Sequence, residues 1–181
     1  MRHTLIALVE DRPGALNRVL GLLRGRGLGL HSIAVGDSET PGVKRTTVLV
    51  DTESVEQTIK QLNRLIEVLE VTDVTNAEYV VRETALVKIH AAEPKQKEIK
   101  TVADVFGARI VGSSPQTVVV EMTDTPDRLG EMIARVMAIG ACETMRSGSL
   151  AMALGGPTPR VSIAAPEDTA RNWWSQADGI S

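Results

Sequence analysis

One pattern of apolar residues occurs twice along this chain of 181 residues, and the repetition limits the folds open to it. In each copy a strand pattern is followed by a helix pattern, two further strands, a second helix and a last strand. Matching turns separate the middle strands of each copy, at Glu39-Thr40-Pro41-Gly42 and at Ser113-Ser114-Pro115-Gln116. Such an order lets two helices pack on one sheet in each half.

The periodicity sets approximate bounds for the elements. In the first copy we predict strands at 4–9, 30–37, 45–51 and 67–74, a helix at 14–26, and a second helix opened by a capping box at Ser54-Val55-Glu56-Gln57. In the second copy we predict strands at 84–90, 108–112, 117–122 and 141–153, a helix at 95–106, and a second helix capped by Thr125-Pro126-Asp127. The predicted fold class is therefore α+β, with two tandem ferredoxin-like βαββαβ domains.

The repeats define the domain organisation. We predict one domain over residues 2–76 and another over 77–154, joined by a linker near 75–83. The linker contains neither glycine nor proline, so it can be strand-like and can couple the two units closely. From residue 155 the composition shifts toward Gly, Pro, Ala and Ser, so we expect 155–181 to be a mobile tail. Trp173 and Trp174 are unusual in such a tail, and they fit either docking on the protein or contact with a partner.

Composition excludes several classes of function. Aromatic residues make up 2% of the chain and the net charge is −3, so we expect no binding to nucleic acid or to anionic membranes. The apolar runs are too short for a membrane span or a signal sequence, and we expect a cytoplasmic protein. The single cysteine, Cys142, is interpreted as a small buried hydrophobe.

No arrangement of residues in the sequence indicates catalysis. No nucleophile is paired with a base, and metal-ligand spacing is missing among the histidines, which are His3, His31 and His90. Gly25, Gly27 and Gly29 follow a helix, whereas a dinucleotide site needs glycines after a strand, so they are interpreted as turn residues. We predict no catalytic residue, metal site or cofactor in this chain, which is then non-catalytic by itself.

The junction between the first strand and the first helix is the strongest candidate binding site. Pro13 fits a first helical turn, and Gly14 lets a ligand approach the backbone. We expect free N–H groups at Gly14, Ala15 and Leu16, which can hold a carboxylate with help from the helix dipole. Asp11 can accept a hydrogen bond from an ammonium group, so the junction fits an α-amino acid. A plain helix cap is the alternative.

Several longer stretches resemble one protein family, the regulatory small subunits of acetolactate synthase (acetohydroxyacid synthase). The similar stretches are Val9–Val19, Arg26–Gly36, Arg82–Ile89, Phe106–Val111 and Arg146-Ser147-Gly148. Together the resemblance covers about residues 2–154. It implies an ACT domain at the N-terminus followed by a second ferredoxin-like domain.

The resemblance also implies a function. A subunit of this family activates a large catalytic subunit, which carries thiamine diphosphate, Mg²⁺ and FAD, and it confers feedback inhibition by valine. ACT domains of the family pair side by side as homodimers and bind the effector at their interface. Carried onto this sequence, the effector contacts are Asp11, Gly14 and Ala15 of one chain with Gly29, Leu30 and Ile33 of the other.

Two of these positions depart from the family pattern. The family usually has Asn at position 29 and often at position 11, where this chain has Gly29 and Asp11. Loss of the amide at position 29 removes a hydrogen bond worth about 0.5–1.5 kcal/mol, so effector affinity and identity can differ from those of the family. The alternative function is a stand-alone ACT-type amino-acid sensor that regulates another enzyme.

Overall fold

The computed structural model describes residues 1–25 and 27–155, which form two units. The first contains β1 (Arg2–Glu10), α1 (Ala15–Gly25), β2 (Gly29–Asp37), β3 (Val43–Asp51), α2 (Val55–Leu62) and β4 (Val68–Asp73). The second contains β5 (Tyr79–His90), α3 (Lys95–Phe106), β6 (Arg109–Ser114), β7 (Thr117–Asp124), α4 (Pro126–Met137), β8 (Cys142–Arg146) and β9 (Leu150–Ala153). The predicted tandem α+β fold is confirmed. Apart from Gly155, the expected tail with Trp173 and Trp174 lies outside the described residues.

Both units use the same sheet topology. The strand order is β2-β3-β1-β4 in the first sheet and β6-β7-β5-β8 in the second, and all neighbouring strands are antiparallel. Apolar side chains at alternate positions of each central strand pack under the two helices, namely Leu5, Ala7 and Val9 on β1 and Ala85, Val87 and Ile89 on β5. Burial of each large aliphatic side chain contributes about 1.5–3 kcal/mol.

The strand β5 is twelve residues long and serves both units. Its second half lies in the second sheet, whereas Tyr79–Arg82 pair with β9 to form a two-stranded ribbon. The ribbon covers the face of the first sheet that the helices leave free, where Ala151 packs with Ile6 and Val74. This second cover explains why β1 is an almost continuous apolar run instead of an alternating one.

The prediction of one final strand at 141–153 is wrong. The chain forms β8 and β9, separated at Ser147-Gly148-Ser149, and Gly148 adopts a positive φ of 80°. A residue in this left-handed conformation cannot continue a strand, so the chain leaves the second sheet and enters the ribbon. The segment near 75–83, predicted as a linker that can be strand-like, contains the start of β5.

Two local predictions at helix starts are also wrong. The helix α1 begins at Ala15, not at residue 14, because Gly14 has a φ of 83°, which a helix cannot accommodate. The capping box at Ser54 does not form, since the Ser54 side chain makes no capping hydrogen bond. Instead, Thr58 Oγ1 donates to the Ser54 carbonyl oxygen and Thr52 Oγ1 accepts from the Ser54 N–H.

Two further observations bear on the expectations from composition. Cys142 is half-buried against the core of the second unit, and this burial raises the pKa of its thiol. Within residues 1–25 and 27–155, no helix is long and apolar enough to span a membrane.

Candidate functional site

The turn between β1 and α1 depends on a glycine. The Asp11 N–H donates to the Gly42 carbonyl, 2.8 Å away, and the Arg12 N–H donates to the Glu10 carbonyl. Gly14 then reverses the chain with its positive φ, a conformation that L side chains rarely adopt. Backbone geometry alone therefore requires glycine here, in addition to any need for a ligand to approach.

The free N–H groups of this turn differ from those predicted. The Ala15 N–H is not free, because it donates to the Arg12 carbonyl at 3.1 Å and closes the turn. Among the described residues, the N–H groups of Gly14 and Leu16 donate no hydrogen bond. Two of the three predicted donors are thus open to an anion at the positive end of the α1 dipole.

Asp11 already has a cationic neighbour, which sequence reasoning missed. Lys44 on β3 places its Nζ 3.3 Å from Asp11 Oδ2 and 2.5 Å from Asp37 Oδ1. These hydrogen bonds, the one to Asp37 first, raise the pKa of the Lys44 ammonium. An ammonium group on a ligand would therefore share Asp11 with Lys44, while Asp37 continues to hold the lysine.

A guanidinium group also lies beside the turn. Arg18 Nη1 contacts Glu67 Oε1 at 2.7 Å, and Glu67 is buried. The other amino group, Nη2, lies 4.0 Å from the place that a Cβ on Gly14 would occupy. The proximity of Arg18 to Gly14 could have been predicted from the sequence, because residue 18 follows residue 14 by one helical turn. The contact with Glu67 depends on the tertiary fold and could not be predicted.

At the other end of α1, Gly29 begins β2 directly opposite Asp51. A Cβ on Gly29 would lie only 3.1 Å from the Asp51 Cβ, so any larger residue at position 29 would have to displace Asp51. The Asp51 carboxylate contacts His31, and this hydrogen bond is the main reason that the pKa of Asp51 is lowered. A polar cleft of about 640 Å³ adjoins Gly29 and Asp51.

A β-bulge turns two predicted effector residues toward the same side of β2. The register with β3 shifts between Leu30 and Ser32, so His31 is the extra residue. As a result Leu30 and Ile33 both pack against the core under the helices. Ser32 lies on the opposite face of the strand. The same shift occurs in β6, between Ile110 and Gly112, as expected for a structural repeat.

One chain does not bring the six predicted residues together. Asp11, Gly14 and Ala15 precede α1, and Gly29, Leu30 and Ile33 follow it. Because α1 has eleven residues, the two groups lie roughly 16 Å apart. A ligand of amino-acid size can touch both groups only if a second copy of the chain supplies one of them. The strand β2 is at a sheet edge, where a second copy can approach.

Comparison with known proteins identifies the family of this chain. Residues 5–70 match the model described as an AHAS small subunit-like ACT domain, and residues 82–155 match the model for the small subunit of acetolactate synthase. A protein of Archaeoglobus fulgidus named "Probable acetolactate synthase small subunit" is 40% identical over 157 residues, which cover 86% of this chain and 98% of that protein. The chain belongs to the family of acetolactate synthase small subunits.

Other members of the small-subunit family agree in sequence and in fold. The acetolactate synthase small subunit of Bacillus subtilis is 39% identical over 158 residues, covering 86% of this chain and 92% of the relative. The crystal structure of the Thermotoga maritima small subunit matches with a TM-score of 0.79 and 31% identity, covering 87% and 99% of the two chains. The predicted family membership and the N-terminal ACT domain are confirmed, whereas the six effector contacts stay a prediction.

Proposed function

We propose that this small subunit binds the catalytic subunit of acetolactate synthase, raises its activity and makes it sensitive to valine. The observation that carries the proposal is the split site. Two groups of residues with complementary chemistry lie at opposite ends of α1, in an ACT domain whose strand β2 lies at the edge of the sheet among the described residues. Acetolactate synthesis itself, with thiamine diphosphate, Mg²⁺ and FAD, is assigned to the partner, in the cytoplasm.

The β1–α1 turn suits the charged ends of an amino acid. The N–H groups of Gly14 and Leu16 face an incoming carboxylate, and Arg18 adds a positive charge beside them. Asp11 is exposed and accepts from the ligand ammonium. The branched side chain then meets aliphatic groups at Leu30 and Ile33 of the second copy, both of which pack against the apolar core of their own unit.

Pairing through β2 would complete the site. An edge strand presents unpaired N–H and C=O groups, and a two-fold contact between two β2 strands would satisfy them in both chains. The ACT domain also has partly exposed apolar groups on β2 and on the preceding helix, namely Val35 on β2 and Leu16 and Leu20 on α1. Valine at this interface must prefer one arrangement of the dimer, because a ligand moves an equilibrium only through its differential affinity.

The test is the rate of pyruvate conversion to acetolactate by the cognate catalytic subunit, with and without this chain, over a valine titration. We expect activation by the chain and reversal of that activation by valine. The variant Asp11→Ala should keep activation and lose the valine response, and Asp104→Ala, at an exposed position on α3, should behave as wild type. Valine binding without any effect on turnover would instead favour the stand-alone sensor.

A further inference from the structure

The strand that carries Leu30 and Ile33 touches the second unit at the Ser32 side chain and at the Ile33 carbonyl. The Ser32 Oγ accepts a hydrogen bond from the Ser149 N–H at 3.1 Å. A Cβ on Gly148 would lie 2.9 Å from Ser32 Oγ and 3.1 Å from the Ile33 carbonyl oxygen. Contacts of this length leave no space for a side chain at residue 148, so the loop backbone lies directly against β2.

The loop at residues 147–149, which reaches β2, is fixed by hydrogen bonds to β5 in the second unit. The Ser147 N–H donates to the Thr84 carbonyl at 2.9 Å. Arg146 binds Glu83 through two hydrogen bonds of 2.8 and 2.7 Å, and Glu83 is buried. Bidentate pairs of this kind fix both position and orientation. A displacement of β2 would therefore pass into β5 and β8, because the loop has little freedom to absorb it.

The bulge at His31 places this contact directly behind the proposed effector site. Leu30 and Ile33 face the helix side of the sheet, and Ser32, between them, faces the second unit. A second bond along the same face, from the Ala151 N–H to Thr47 Oγ1 at 3.3 Å, ties β9 to β3. The residues proposed to contact the effector therefore lie on one face of β2, and the second unit contacts the opposite face of the same strand.

We propose that the contact of Ser32 with Gly148 and Ser149 couples the effector site to the second unit. This inference rests on the proposed function, because it takes the effector to bind against Leu30 and Ile33. Closely packed groups do not deform continuously. Movement of β2 upon effector binding then shifts the 147–149 loop, and with it β8 and β9 on either side. Ser32 and Gly148 act as positioning residues and do not touch the effector.

The test is hydrogen exchange measured by mass spectrometry on the full chain, with valine as the probe, combined with the turnover assay. The variants are Ser32→Ala, which removes the acceptor for Ser149, and Gly148→Ala, which adds the Cβ that has no space. The control is Ser113→Ala, at an exposed position on β6, the counterpart of β2. Ser32→Ala is the milder change and tests the inference even if Gly148→Ala folds poorly.

In the wild type we expect valine to slow exchange in two segments, 29–37 and 147–153. In Ser32→Ala the slowing at 29–37 should persist, whereas the effect at 147–153 and the inhibition of turnover should fall by roughly fivefold or more, the lower end of ordinary allosteric coupling. Unchanged slowing at 147–153 in Ser32→Ala would overturn the inference. An absence of slowing at 29–37 in the wild type would refute the proposed valine site itself, and the inference with it.

Discussion

Gly29 leaves space for Asp51, the residue opposite it on β3. The distance of 3.1 Å between a Cβ at position 29 and the Asp51 Cβ is shorter than ordinary contacts allow. The position of Asp51 therefore favours glycine at position 29. The Asp51 carboxylate in turn contacts His31, and its Oδ1 lies 3.9 Å from Arg2 Nε. This relationship gives a structural reason for glycine at position 29 of this chain.

The first prediction compares two glycines on β2. Gly29→Ala should destabilise the protein by about 1 kcal/mol, because the new methyl group overpacks against Asp51. Gly36→Ala, whose Cβ would have nothing within 4 Å, should be stabilising by about 0.5 kcal/mol, since alanine loses less backbone entropy upon folding. Denaturant unfolding monitored by circular dichroism measures both. Equal effects would show that Asp51 does not restrict position 29.

The second prediction concerns the pair of Arg18 and buried Glu67. Arg18→Ala should cost about 1–3 kcal/mol, because the Glu67 carboxylate stays buried without its partner. The arginine is half-exposed, which keeps the cost below that of a fully buried pair. As a matched control, Arg109→Ala breaks an exposed pair with Glu121 and should cost about 0–1 kcal/mol. Comparable losses in thermal unfolding for the two variants would argue against the assigned burial of Glu67.

A third prediction addresses the ammonium end of the effector. Asp11→Asn keeps the size of the side chain and removes its charge, so valine affinity should fall by about 10- to 100-fold, as expected for a charged hydrogen bond worth about 1.5–3 kcal/mol. Asp104→Asn should leave affinity unchanged. Isothermal titration calorimetry gives both values. Position 14 is unsuitable for this purpose, because any side chain there strains a φ of 83°. Retained affinity in Asp11→Asn would remove Asp11 from the site.

The fourth prediction is a pH dependence set by Asp51. Its pKa is lowered from the ordinary value of 3.8, chiefly by the hydrogen bond with His31. A lowered folded-state pKa means that the carboxylate stabilises the fold above pH 3.8 and that this contribution is lost as pH falls through the folded pKa. The difference in unfolding free energy between wild type and Asp51→Asn should thus be larger at pH 5 than at pH 3. A difference independent of pH over this range would contradict the assignment.

The sequence predicted the elements whose signals are local. Alternating apolar residues on β5 and β7, and the helix face of Leu129, Met132 and Val136 on α4, pack as their spacing indicates. Because the whole pattern occurs twice, the tandem fold could be predicted from periodicity alone. The family resemblance then depended on motifs at turns, where glycines and prolines have specific backbone roles.

The errors arose where structure depends on distant parts of the chain. The sequence pattern places Gly148 within a strand, whereas in the structure its positive φ and its close approach to Ser32 in the other unit both require glycine. The bulge at His31 depends on the register with β3, which one strand cannot reveal. The Ala15 N–H is used by a turn that forms because Gly14 adopts a positive φ. Lys44 lies on β3 and Glu67 lies in the turn before β4, and only the tertiary fold brings them beside the β1–α1 turn.

The long strand β5 has a consequence for how this protein can be divided. Its first residues and β9 shield Ile6 and Val74 from water, so an ACT domain cut from the chain near residue 77 would leave that surface bare and prone to self-association. Each repeat looks like a complete small fold, yet the free face of the first sheet is covered by residues of the second unit. A chimeric protein that takes its first unit from this chain would therefore also need the ribbon formed by Tyr79–Arg82 and β9.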